Sequence, residues 1–175
     1  MVGRNLPGNI FCHESETSMI YPEMRRSERK MDDQKSLQIL QSAEYGVLST
    51  VDSGGQPYGV PLNYVYHQGA LYFHGAQVGH KLNNLQNESR ISFCVVSRAE
   101  VVPQQLSTNF ESVIVFGRAA IVEGKAKIQA LRWLHERFVG PLTPAALADL
   151  QEQQEHTLVV KIVIEHMTGK ERDNG

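Results

Sequence analysis

The chain has 175 residues, 41% hydrophobic and 21% charged, a composition that suits one globular domain with a real core. Its 17 basic and 19 acidic residues leave a formal net charge of −2, which argues against the strongly basic face of a nucleic-acid binder. No apolar run nears the roughly 18 residues of a membrane span, the first residues lack the pattern of a secretory signal, and Cys12 and Cys94 show no pairing pattern, so a soluble cytoplasmic protein is expected.

Residues 1–23, "MVGRNLPGNIFCHESETSMIYPE", carry Gly, Pro, Asn and Ser throughout without periodicity and read as a flexible arm before a single domain over 24–175. Cys12-His13-Glu14 supplies too few ligands for a metal centre, and none is expected. "DDQKSLQILQSAEYG" predicts a helix with Asp32 or Asp33 as cap, Leu37 and Leu40 on one face, and Gly46 past its end. "YGVLSTVD" then alternates, with Val47, Ser49 and Val51 on one face and Leu48 and Thr50 on the other. The turn "SGGQ" joins it to "PYGVPLNYVY" as a hairpin, and "HQGA" leads to a third strand, "LYFHG", for a three-stranded meander.

"HKLNNLQNE" predicts a short helix and "RISFCVV" a fourth strand, followed by a loop from Ser97 to about Asn109. "FESVIVFGRAAIVE" is a fifth strand, and Gly117 within it suggests a bulge or sharp bend. "GKAKIQALRWLHERFV" is helical, with Trp133 expected to pack, and "TPAALADLQEQQE" opens with Thr143 as cap and Pro144 in the first turn. "HTLVVKIVIEHMTGK" is a sixth strand closed by a Thr-Gly-Lys turn. Strands in series with peripheral helices exclude a doubly wound sheet. The fold class expected is mainly β, with five or six antiparallel strands closing into a small β-barrel.

The junction "LYFHGAQVGHKLNNL" carries the chemistry. The first N–H groups of a helix lack intrahelical partners and sit at the positive end of its dipole. His80 and Lys81 add cationic or donor groups where the dipole disfavours them, and Gly79 lets a ligand approach the backbone. A bound phosphate removes the conflict, while an ordinary glycine-rich turn with two exposed basic residues is the alternative.

"MRRSERKM", "YGVLSTVDSGGQPYGVPLNYVYHQGALYFHGAQVGHKLNNL", "RISFCVV", "ESVIVFGRAAIVE" and "EHMTGK", in this order and spacing, resemble the pyridoxamine 5′-phosphate oxidase-like flavoproteins. Within them the sequence is most similar to the Nim group of 5-nitroimidazole antibiotic resistance proteins, over roughly Met24 to Arg172. The resemblance implies a six-stranded antiparallel split β-barrel of Greek-key type that forms a homodimer, with flavin mononucleotide (FMN) at the subunit interface, or flavin adenine dinucleotide (FAD) in the same kind of site. It implies that Val47, Leu48, Ser49 and Thr50, with Pro61, Leu62 and Asn63, flank the flavin ring. His74, Gly75 and Ala76 would line the site, His80 and Lys81 would hold the phosphate, and Thr108 to Ser112 would come from the partner subunit.

His74 is the catalytic candidate, because a histidine near its ordinary pKa can donate a proton at neutral pH. His67 is expected in solvent, Tyr64, Tyr66 and Tyr72 in cross-strand packing, and His135 and His156 suggest no role. Arg25, Arg26 and Arg29 are either the family's basic leader or a solvated segment offset by Glu28, Asp32 and Asp33. The function expected is a flavin-dependent reductase of nitro-aromatic or related small acceptors, with a nicotinamide as a candidate donor. The alternatives are a flavin storage or sensor protein and a haem-binding split barrel. Pyridoxamine 5′-phosphate oxidation itself fits less well, since no basic set for a second phosphate accompanies His80 and Lys81.

Overall fold

The computed structural model describes residues 21–173, so Cys12 and His13 lie outside the described residues. Its elements in chain order are β1 (Lys30–Met31), α1 (Asp33–Ser42), β2 (Tyr45–Val51), β3 (Pro57–Asn63), β4 (Val65–His67), β5 (Ala70–Ala76), α2 (His80–Asn87), β6 (Arg90–Val102), β7 (Ser107–Val122), α3 (Gly124–Phe138), α4 (Pro144–Gln153) and β8 (Thr157–Arg172). The strands form one antiparallel sheet in the order β3–β2–β6–β7–β8–β5–β4, with β1 attached to β8. The six long strands are those expected, β1 is a short addition, and β4 is the far end of the expected second strand. Among the described residues no helix is long and apolar enough to cross a membrane.

Strand alternation builds the core. Leu48, Phe93, Val113, Val115, Leu71, Phe73 and Ile162 are fully buried on the inner face. Asp52 organises the β2–β3 turn: its carboxylate accepts from Gly54 N at 2.8 Å and Gln56 N at 2.9 Å, and Gly55 takes φ +85°. At one end of the barrel, α1 is capped by Asp32, whose carboxylate accepts from Lys35 N. Tyr64 Oη donates to the Leu40 carbonyl at 2.9 Å, locking α1 onto the strands. At the other end α2 inserts Leu82 and the buried Asn84. A second cluster of Ala70, Tyr72, Ala130, Leu131 and Val159 holds α3 against the outer side of β5 and β8.

Three expectations change, and a fourth, the bulge at Gly117, is met and located. The predicted strand over residues 57–66 breaks at the buried Tyr64: its first part pairs with β2 and its second with β5, so the three-stranded meander is not formed. That break is the split in the barrel. The loop expected from Ser97 is instead a continuous ribbon, in which β6 bulges between Val96 and Arg98 and then pairs with β7 from Arg98↔Glu111 to Val102↔Ser107. Its exposed polar residues hid the pairing. The Thr-Gly-Lys segment is no turn but part of β8, paired with both β7 and β1. Gly169 is there because a Cβ would lie 1.9 Å from Ser36 Oγ, under α1. The bulge foreseen at Gly117 has its extra residue on β8, where pairing steps from Phe116↔His166 to Gly117↔Ile164. Gly117 faces it because a Cβ would meet the Val163 carbonyl oxygen at 2.0 Å.

Candidate functional site

Alternation along β5 divides the opening motif between two faces. Phe73 and Gly75 share the inner face with Leu71, while Tyr72 and His74 point toward α3. His74 pairs in register with Val159 and Gly75 with Leu158.

On the Gly75 side lies the candidate anion seat. Gly79 starts α2 at φ +139°, a conformation open to glycine, and gives the first turn no side-chain cap. Lys81 folds back over β5 so that a Cβ on Gly75 would come within 3.3 Å of its Nζ. Lys81 is half-buried and has no ion-pair partner among the described residues. A half-buried ammonium without a counter-ion, beside unsatisfied helix N–H groups, favours a bound anion. His80 is exposed, and its ring meets Tyr58 of β3 edge-on at 4.7 Å, which ties β3 to the start of α2. Behind it, Asn84 Nδ2 donates to Thr50 Oγ1 at 2.9 Å and Thr50 Oγ1 donates to the Tyr58 carbonyl at 3.3 Å, so both termini of the seat are anchored in the core.

On the His74 side is a cavity of about 320 Å³. Leu131, Leu134, Phe138, Val139 and Leu150 of the α3–α4 layer make its apolar wall. His74, Asn63, His135, Gln153 and Thr157 supply its polar groups. Asn63 Nδ2 is committed to the Glu44 carbonyl at 2.9 Å, which leaves its Oδ1 to accept from a ligand. His74 is exposed by surface area, but much of that surface is cavity wall; desolvation there lowers its pKa below the ordinary value near 6.5. Burial therefore favours the neutral imidazole, which can offer a ring N–H as a hydrogen bond.

The remaining candidates separate by strand face. Val47, Ser49, Gly59 and Pro61 form an outward patch, where Val47 pairs with Pro61 and Ser49 with Gly59. Gly59 keeps this patch low, with Val47 Cγ1 and Ser49 Oγ the nearest atoms to a Cβ placed there, at 3.5 and 4.0 Å. Leu48 and Thr50 face the core and Leu62 is half-buried against it, so only their backbone can meet a ligand on that patch. Ala76 is exposed at the end of β5. Thr108 and Ser112 lie on β7, separated from β3 by β2 and β6, and one chain does not bring them to Lys81 or His74.

The sequence reading missed His135, whose signal was its position. Leu131, Leu134, His135 and Phe138 follow the i, i+3, i+4, i+7 spacing of one helix face, so the imidazole interrupts an apolar stripe. His67 is half-buried rather than solvated, stacked on Trp133 at 3.7 Å, while Trp133 packs as expected, also meeting Tyr72. Arg26 and Arg29 pair with Glu28 at the surface, at 3.7 and 3.9 Å. Tyr21, from the expected arm, stacks on His166 at 4.6 Å and donates to Glu165 at 2.9 Å. Among the described residues no group of three acidic, histidine or cysteine side chains could hold a metal ion.

A family model described as pyridoxamine 5′-phosphate oxidase matches residues 32–171. Among solved structures, a Bacteroides thetaiotaomicron protein with a provisional 5-nitroimidazole antibiotic resistance name is 24% identical, at TM-score 0.68, over 81% of this chain and 85% of that one. An FAD-binding protein from Mesorhizobium loti is 23% identical at TM-score 0.60, over 83% and 98%. An FAD and haem binding protein from Mycobacterium smegmatis is 18% identical at TM-score 0.68, over 83% and 74%. These likenesses carry the split-barrel fold. No curated protein matches the chain significantly.

Proposed function

The chain belongs to the pyridoxamine 5′-phosphate oxidase family, and from that premise we propose that it is a flavin-dependent oxidoreductase of the Nim type, reducing nitro-aromatic or related small acceptors. The observation that carries this reading is the pairing of two seats across β5. Lys81 and the start of α2 await an anion on one face, and a mostly apolar cavity with a neutral imidazole opens on the other.

FMN fits the residues present, and FAD shares the phosphate and ring that they would meet. Its phosphate would take Lys81 and the first N–H groups of α2, with His80 beside them. Its ring would lie along the low patch of Val47, Ser49, Gly59 and Pro61. Ser49 Oγ, which has no side-chain partner among the described residues, and Asn63 Oδ1 would meet the ring's polar edge. The flavin supplies electron storage and transfer, with a nicotinamide as the proposed donor. The protein positions, desolvates and offers hydrogen bonds. His74 directs a ring N–H toward oxygen charge developing on the acceptor, and gains basicity as that charge grows.

A second copy completes the site in this reading. Val47, Val96 and Ile114 are exposed on one outer face, and Val47, Cys94 and Ile114 are register neighbours across β2, β6 and β7. The ribbon tip adds Val101 and Leu106, 71% and 96% exposed. Apolar surface of this extent suits a homodimer contact, with Thr108 and Ser112 of the ribbon reaching the neighbouring subunit's flavin. A cytoplasmic setting suits the free thiol of Cys94.

An absorption spectrum with mass identification of the copurified ligand tests the proposal. Flavin bands, and nicotinamide oxidation that accelerates when a nitro-aromatic is added, are expected. A Soret band would assign the protein to haem binding, and flavin without turnover to storage or sensing.

A further inference from the structure

We propose that the cavity under α3 and α4 is the acceptor's own seat, selecting a small flat ring that carries a two-oxygen group, nitro or carboxylate, with His135 as a specificity-determining contact. This rests on the flavin-reductase reading. His135 has no part in the flavin seat, and the cavity's composition sets the ligand's chemistry.

Neither Asp nor Glu is among the cavity's lining residues, so a cationic ligand would find no counter-charge. Neither Lys nor Arg is among them, so a dianionic phosphate would find no full positive charge, whereas a nitro group or a single carboxylate can be met by neutral donors. The polar groups are two imidazoles, two amides and one hydroxyl. The imidazole N–H groups, the Gln153 amide N–H and the Thr157 hydroxyl suit a delocalised pair of oxygens, and the leucine, phenylalanine and valine wall suits an apolar ring. About 320 Å³ is at the low end of small-molecule sites, which run from roughly 300 to 1,000 Å³, and so fits one or two rings.

Position separates this seat from the phosphate. His74 and Gly75 are consecutive residues of β5 on opposite faces, so the cavity and the Lys81 seat share a strand without sharing volume. Asn63 links them, because it lines the cavity and ends the strand that carries the low patch of Gly59 and Pro61. His135, one helical turn after Leu131, brings its imidazole to the same cavity as His74 from the α3 side. A ligand oxygen pair held by both imidazoles would place its ring against the apolar wall.

Titration calorimetry of the flavin-loaded protein with benzoate, nitrobenzene and toluene decides the matter. Saturable binding of benzoate or nitrobenzene, at least tenfold tighter than toluene, is expected; whichever binds tighter identifies the oxygen group. His135→Leu should weaken it about tenfold, the loss of one hydrogen bond. Val139→Trp, at an exposed mouth position that tolerates bulk, should block it. Both variants should keep the wild-type affinity for FMN. No saturation by either oxygen-bearing probe up to millimolar concentration, or a dissociation constant unchanged in both variants, overturns the assignment. Should the wild type take up no flavin, the same titrations on the flavin-free protein still test the cavity, while the flavin reading fails separately.

Discussion

The ammonium of Lys81 stands over Gly75, the β5 residue that lacks a side chain, so closely that a Cβ at position 75 would lie 3.3 Å from Nζ and 3.4 Å from Cε. The contact is with the far end of a flexible side chain, so Gly75→Ala should fold and displace the ammonium instead. The expected result is a several-fold rise in the FMN dissociation constant with an unchanged melting temperature, read by flavin fluorescence. Unaltered FMN affinity would mean that the Lys81 position over β5 does not matter to the ligand.

Asn84 and Thr50 form a buried side-chain pair between α2 and β2, and both are almost wholly inaccessible. Asn84→Ala strips Thr50 of its donor and leaves a small void. The expected cost is about 1–3 kcal/mol, with a lowered melting temperature and weaker FMN binding, because α2 loses its anchor. Thermal melts with and without FMN check this; a wild-type melting temperature would show that the pair contributes nothing net.

His74 gives a pH signature. Its folded-state pKa is lowered by desolvation, so the unfolded chain binds the proton more readily. Stability is therefore full above the unfolded value of about 6.5 and declines as pH falls from there through the lowered folded pKa. His74→Gln should lose less stability than the wild type over that window in urea melts. Parallel curves would remove desolvation of His74 as a cause.

Much of this was legible in the sequence, and the gaps have physical causes. The β2–β3 hairpin, the caps at Asp32 and Thr143 and the glycine before α2 follow from local chemistry that acts over a few residues. The break at Tyr64 was not legible, because it follows from the long-range contact of its hydroxyl with α1. Nor was the ribbon beyond Ser97, whose pairing is cross-strand and whose side chains are mostly polar and exposed. At the site, the motif grouped His74 with Lys81, while strand alternation sends their neighbourhoods to opposite faces. The cavity wall comes from α3 and α4, some sixty or more residues away along the chain. The lowered pKa of His74 depends on that wall and so could not be read from "YFHGA".

The proposed dimer has a direct test. Ile114 lies on the outer face between Cys94 and Thr168 in register. In a two-fold contact, Ile114→Glu would place a carboxylate from each copy in an apolar interface of about 2,000 Å² or more. Sedimentation should give a dimer for the wild type and a monomer for the variant, with weaker FMN binding in the monomer. A wild-type monomer that holds FMN tightly would place the whole site within one chain.

In the proposed site Lys81 and the first turn of α2 hold a flavin phosphate, and equilibrium titration with FMN reads that contact. The wild type should bind at micromolar concentration or below. Lys81→Ala, with an unchanged circular dichroism spectrum, should bind roughly ten- to a hundredfold more weakly, as loss of a charge-assisted contact worth about 1.5–3 kcal/mol requires. No uptake by the wild type at micromolar FMN, or equal affinity in the variant, would contradict the account.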